Sequence, residues 1–122
     1  MLKLVFCLRR LPHLSLEDFQ HYWRNNHAPL VKKHADTLGI LRYVQSHTLS
    51  GDLSSDIRRS RGGPEPYDGV AELWFESEES MKRHWADPKA AIAARALLED
   101  ERKFIDLAQS PIWYCVENNV HD

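Results

Sequence analysis

The stretch Phe19-Gln20-His21-Tyr22-Trp23-Arg24-Asn25-Asn26-His27-Ala28-Pro29-Leu30-Val31 sets two large aromatic rings and an imidazole within about two turns of one predicted helix. Around it, Leu16, Phe19, Trp23, Leu30 and His34 recur at helical spacing, which predicts an apolar side laid against a sheet. His27 falls near the edge of that side. Pro29, which has no N–H to donate, interrupts the helical hydrogen bonds just beyond it. A titratable ring beside bulky apolar side chains, next to a helix distortion, is where a small-molecule site is expected.

Reading outward, residues 2–9 form a strand with Leu2, Leu4, Phe6 and Leu8 on one face. Val5 and Cys7 make the other face apolar too, so both are expected to be covered. Ser15, with Asp18 three positions on, opens the helix as a capping-box variant, and the pattern carries it to residue 35, with Gly39 following. A second strand over 40–49 alternates Leu41, Tyr43, Gln45 and His47 with Arg42, Val44 and Ser46. Residues 50–66 hold Gly51, Asp52, Gly62, Gly63, Pro64 and Pro66 with little apolar content, and read as a long mobile connection, a lid or a disordered loop. A strand over Tyr67–Phe75 follows, then a short helix capped by Ser77 with Glu78 and Glu79 in its first turn. Asp87-Pro88 starts another helix whose apolar stripe is Ala94, Leu97, Leu98, Ile105 and Ala108, and residues 111–117 form the last strand.

This order is β-α-β-β-α-β, so the expected class is α+β: one ferredoxin-like domain over 1–122 with a four-stranded antiparallel sheet. Helices in such a unit cover a single sheet face. The first strand is apolar on both sides and Trp74, Trp113 and Tyr114 add bulk to the sheet, so the uncovered face exceeds the apolar patch a monomer usually exposes. A second copy is therefore expected to cover it, giving a two-fold homodimer with its sheets face to face.

Composition narrows the partners. Hydrophobic residues make up 43% and charged residues 28% of the chain, and the net charge of -2 gives no reason to expect nucleic acid. Arg58, Arg59 and Arg61 beside Gly62-Gly63-Pro64 read as a solvated loop. No apolar run approaches the roughly 20 residues that cross a bilayer. The N-terminal segment carries its positive charges after a short apolar run, the reverse of a secretory signal. Cys7 and Cys115 lack metal-type spacing and read as buried thiols of a cytoplasmic protein.

Two blocks carry a family resemblance. Phe19-x-x-Tyr22-Trp23-x-x-x-His27-Ala28-Pro29-Leu30-Val31, followed by Tyr67-Asp68-Gly69-Val70-Ala71-Glu72-Leu73-Trp74-Phe75, resembles the EthD family of dimeric α+β barrel proteins. That family is named for ethyl tert-butyl ether degradation through a cytochrome P450 system. Its relatives include cofactor-free tailoring enzymes of polyketide pathways. The resemblance implies a cleft in each protomer, with His27 and Asp68 as its candidate polar residues. It does not fix a reaction, because several chemistries share the fold.

His27 has two readings: a proton-transfer group at neutral pH, or a helix histidine whose ring holds a backbone carbonyl. Asp68, at the start of an apolar strand, either orients His27 as a carboxylate orients imidazole elsewhere or caps a turn after Pro66. Tyr43, Gln45 and His47 share one face of the second strand, and Glu72 and Trp74 share a face of the third; each set lines a pocket or faces solvent. Arg9 could pair with a carboxylate substrate or with Glu72. No three-ligand metal spacing, Gly-rich phosphate loop or G-x-S-x-G elbow is present. Haem, with a helix histidine as axial ligand, is a minor alternative that the barrel architecture implies.

These readings converge on a small enzyme without a tightly bound cofactor, acting on a hydrophobic, oxygen-bearing aromatic or carbonyl compound in a catabolic or polyketide-type pathway. His27 would be the proton-transfer group and Asp68 its orienter; Tyr43, Gln45 and His47 would position the substrate between walls of Trp23 and Trp74. Decarboxylation, cyclisation, isomerisation, elimination and a related oxidation all fit that chemistry. The rival is a non-catalytic binding or accessory protein that delivers a hydrophobic metabolite to a partner oxygenase.

Overall fold

The structure, a computed structural model, describes all 122 residues. β1 (Leu2–Leu8) lies between β3 (Gly69–Phe75) and β4 (Ile112–Val116), and β2 (Arg42–His47) flanks β3. Every neighbouring pair is antiparallel, so the spatial order β2-β3-β1-β4 is that of the ferredoxin-like split βαβ unit. The helices α1 (Leu16–Tyr22) and α2 (Ala28–Leu38) carry the chain from β1 to β2. α3 (Asp52–Arg61) joins β2 to β3, while α4 (Glu78–Trp85) and α5 (Pro88–Glu101) return it to β4. No helix is long and apolar enough to cross a membrane.

Register assigns the two sheet faces. Leu4, Phe6 and Leu8 stand beside Leu73, Ala71 and Gly69, which in turn stand beside Tyr43, Gln45 and His47. This face packs under the helices in two clusters. One joins Val31, Leu38 and Ile40 to Phe75, Met81, Ala93 and Leu97; the other joins Phe6, Leu8, Phe19, Trp23 and Ala71 to Phe104 and Ile105. Val5, Cys7, Val44, Val70, Glu72, Trp74 and Trp113 occupy the opposite face.

The first crossover is not one regular helix. In an α-helix the Pro29 ring would meet the carbonyl of Asn25 and leave it without a donor. The backbone widens instead into a π-helical turn over Trp23–His27, in which the Ala28 N–H donates to the Trp23 carbonyl. Beyond it, α2 runs three residues past the expected end and stops at Gly39, whose φ of 74° is the left-handed cap that glycine favours.

Other boundaries differ from the sequence reading. Within 50–66, expected as a mobile loop, α3 forms with no buried residue, held by local signals alone. Asp52 lies in its first turn, Arg58, Arg59 and Arg61 in its last, and Gly62 caps it at φ 62°. An apolar stripe was the wrong criterion for an element that packs nothing. α5 ends at Glu101, so the expected stripe through Ala108 does not belong to one helix. Ala90, Ala93 and Leu97 are its buried apolar positions, while Phe104 and Ile105 fill the core from the turn that follows.

Candidate active site

His27 is the last residue of the π-helical turn, and that turn aims it. Phe19, Trp23, His27 and Val31 are all buried at four-residue steps. On a regular α-helix each such step overshoots a turn by about 40°. The wider turn removes overshoot between Trp23 and His27, so the imidazole follows the indole under the sheet. Two further contacts fix this segment. Gln45 Nε2 donates to the Trp23 carbonyl at 2.9 Å, and the His47 ring packs 4.4 Å from the Trp23 ring. Gly69 makes room for the indole: a β-carbon there would lie 2.4 Å from Trp23 Cζ3.

The His27 Nδ1 lies 2.7 Å from Asp100 Oδ2, near the C-terminal end of α5. The other oxygen of that carboxylate accepts the Tyr22 hydroxyl at 2.6 Å, and Lys103 Nζ stands 3.6 Å away. Burial alone would push the Asp100 carboxyl up, but the Tyr22 and His27 hydrogen bonds outweigh it and hold it below the usual range. Burial also pushes the Tyr22 phenol up to about 12, so it stays a donor. An ionised Asp100 accepts a hydrogen bond from Nδ1–H of a neutral His27, which leaves the Nε2 lone pair directed away from the pair. Burial lowers the His27 pKa below its ordinary value, with Asp100 partly opposing the shift.

Nε2 makes no hydrogen bond within the chain, and His27 lines a cavity between the sheet and the helices. That cavity holds about 230 Å³, somewhat below the volume of about 300 Å³ from which ligand pockets usually run. Its walls include Phe6, Leu73, Phe75, Leu97 and Tyr114, and the one carboxyl among them is that of Glu101. Burial, and then the neighbouring Asp100 charge, push the Glu101 pKa up to about 7.

Tyr43 lines the same cavity. Its hydroxyl accepts from Gln45 Nε2 at 2.8 Å, and Gln45 Oε1 lies 2.8 Å from His47 Nε2. The amide orientation is fixed by the Trp23 carbonyl, which can only accept. His47 therefore donates to Gln45, Gln45 donates to Tyr43, and the Tyr43 O–H is left without an acceptor in the chain. The His47 Nδ1 is buried without a partner.

The expected residues thus fall into four places. Trp23, His27 and Tyr43 line the cavity; Gln45 and His47 stand behind, holding Tyr43 and the Trp23 carbonyl. Asp68 does not orient His27. Its carboxylate accepts the Arg10 backbone N–H at 2.7 Å and the Arg10 guanidinium, because the start of β3 lies beside the end of β1. Trp74 is not a wall of this cavity: strand alternation puts it on the opposite face, under Arg42 and Lys3, with Nε1 donating to Glu117 at 2.6 Å. Glu72 joins it there, paired with Lys3 at 2.6 Å, while Arg9 bonds the Pro66 carbonyl and stacks on Tyr67. The sequence reading missed Asp100 and Glu101. The available signal was Glu99-Asp100-Glu101, three carboxyls at a helix C-terminus, where the dipole disfavours them.

The EthD domain model matches residues 11–108. A dehydratase, ustZ of Ustilaginoidea virens, is 30% identical over 104 residues, covering 83% of this chain and 72% of the relative. An ethyl tert-butyl ether degradation family protein from Bacillus halodurans superposes with a TM-score of 0.64 at 19% identity, over 97% of this chain and 99% of the other. SnoaB, a cofactor-independent oxygenase from Streptomyces nogalater, superposes with a TM-score of 0.53 at 14% identity, over 98% and 94%.

Proposed function

For this chain, which belongs to the EthD domain family, we propose a small enzyme of secondary metabolism, working without a resident cofactor, that moves a proton beside a carbonyl group in a hydrophobic, compact ring substrate. The carrying observation is His27, with Nδ1 held 2.7 Å from Asp100 and Nε2 unbonded at an apolar cavity. Such an imidazole is a base of fixed tautomer and direction. Asp100 and Tyr22 are its positioning residues. Removing a proton next to a carbonyl builds negative charge on the carbonyl oxygen, and the free Tyr43 O–H is a donor for it. The dehydratase relative and the cofactor-independent oxygenase of similar fold support a cofactor-free acid-base reading. Each cavity lies within one protomer, and a homodimer would pair two such sites through the uncovered sheet face.

The test is His27→Ala, assayed by deuterium exchange at the carbon beside the carbonyl of 4-phenylbutan-2-one, followed by NMR. The wild-type protein should accelerate exchange and the variant should lose at least about 10²-fold of it while melting cooperatively. A wild-type protein that binds the ketone without exchanging it would instead be a carrier of hydrophobic metabolites.

A further inference from the structure

Glu101 is unused by the chemistry so far, and nothing in the fold accounts for it. Its carboxyl makes no hydrogen bond or ion pair within the chain, though its neighbour Asp100 makes several. It lines the same cavity as His27 and Tyr43 among apolar side chains, where an unpartnered carboxyl costs stability. The ionisable groups facing it are His27 from the π-helical turn, Tyr43 from β2, Tyr114 from β4 and, along α5, Asp100. None is a cation that would hold it ionised when His27 is neutral.

We propose that Glu101 is the second proton-transfer group of this cavity, delivering a proton to a leaving hydroxyl, so that the site eliminates water from a β-hydroxycarbonyl compound. In this step the C–H bond beside the carbonyl breaks, its proton goes to His27 Nε2, and its electron pair enters a new C=C bond. The C–O bond of the β-hydroxyl breaks with its electrons on oxygen, which takes the Glu101 proton and leaves as water. Tyr43 donates to the carbonyl oxygen while charge builds there. Imidazolium and carboxylate then remain, and transfer of one proton from His27 to Glu101 restores both. No oxidant or reductant enters. The raised pKa of this half-buried carboxyl agrees with the role, since at neutral pH it keeps a share of Glu101 protonated.

The inference rests on the proposed function, and two substrates separate the two. Deuterium exchange into 4-phenylbutan-2-one needs the base alone; conversion of 4-hydroxy-4-phenylbutan-2-one to its conjugated enone, followed by absorbance, needs base and acid together. Glu101→Gln should lose about 10²-fold or more of its water elimination relative to the exchange it retains. Glu101→Asp, which retains an ionisable carboxyl, should recover part of the elimination, and His27→Ala should lose both reactions. Water elimination at the wild-type rate in Glu101→Gln, or recovery no better in Glu101→Asp, would overturn the role of Glu101. A wild-type protein that exchanges but never eliminates overturns the inference and spares the proposed function. One that does neither overturns both.

Discussion

Asp100 and Glu101 are neighbours on α5, and burial acts on both, yet with opposite net results. Asp100 receives the Tyr22 hydroxyl and the His27 ring, which favour the anion; Glu101 receives nothing. The distinction sets how His27 answers to pH. As the base it must be neutral, so activity should fall as pH drops through its folded pKa, which lies below 6.5. Asp100 raises that pKa against the larger lowering by burial. Replacing it in Asp100→Asn should therefore move the acid limb of the kcat/KM profile to still lower pH. With the tautomer no longer enforced, kcat should also fall by about 10²-fold or more at unchanged KM. A pH–rate series on the exchange reaction reads both effects. A variant that loses thermal stability while its acid limb stays in place would make Asp100 structural only.

At the scale of elements, the site depends on one irregular turn and the strand beneath it. Trp23 reaches β3 where Gly69 begins it, and a β-carbon at that position would enter the indole ring. Gly69→Ala should force Trp23 outward, costing about 1–3 kcal/mol in chemical denaturation and disturbing exchange through the displaced π-helical turn. Unchanged stability would mean the ring relaxes freely. Much of this region is legible in the sequence. Strand periodicity gives four strands in order, Ser15 and Ser77 cap helices as expected, and α5 starts at Asp87-Pro88 as expected, with Asp87 also accepting a backbone N–H. Pro29 marks the distortion beside His27. Not legible is its type: the π-helical turn carries the buried face through His27 and Val31, so Leu30 and His34 of the expected stripe are only half-buried. Nor does strand alternation reveal which face the helices cover, so Trp74 and Tyr43 could be set in one pocket although they lie on opposite sides. Asp100 escapes for another reason. It meets His27 across 73 residues of chain, and only the packing of α5 against the turn brings them together.

At the scale of the whole molecule, the helices leave one sheet face uncovered. Near its Trp74 end the face is closed by the chain's own charges: Lys3 and Arg42 lie over the indole, and Lys3 bridges Glu72 and Glu117. Its remainder is apolar, with Val5, Cys7, Val44 and Val70 half-buried and Trp113 47% exposed. Water against such a surface is unfavourable, and a second copy related by a two-fold axis would meet it with an identical one. A stable pair of this kind buries about 800 Å² per partner, which a four-stranded sheet can supply. Val70 is on the inner strand β3, so Val70→Lys would bury an unpaired ammonium in each copy of such a face. By sedimentation equilibrium the wild-type protein should behave as twice its 14.2 kDa chain mass, and Val70→Lys as a single chain. The cavity is on the other side of the sheet, walled by residues of one chain, so the separated protomers should still exchange the ketone at a measurable rate. A wild-type protein sedimenting at 14.2 kDa would refute the dimer while leaving His27 and its cavity as they stand.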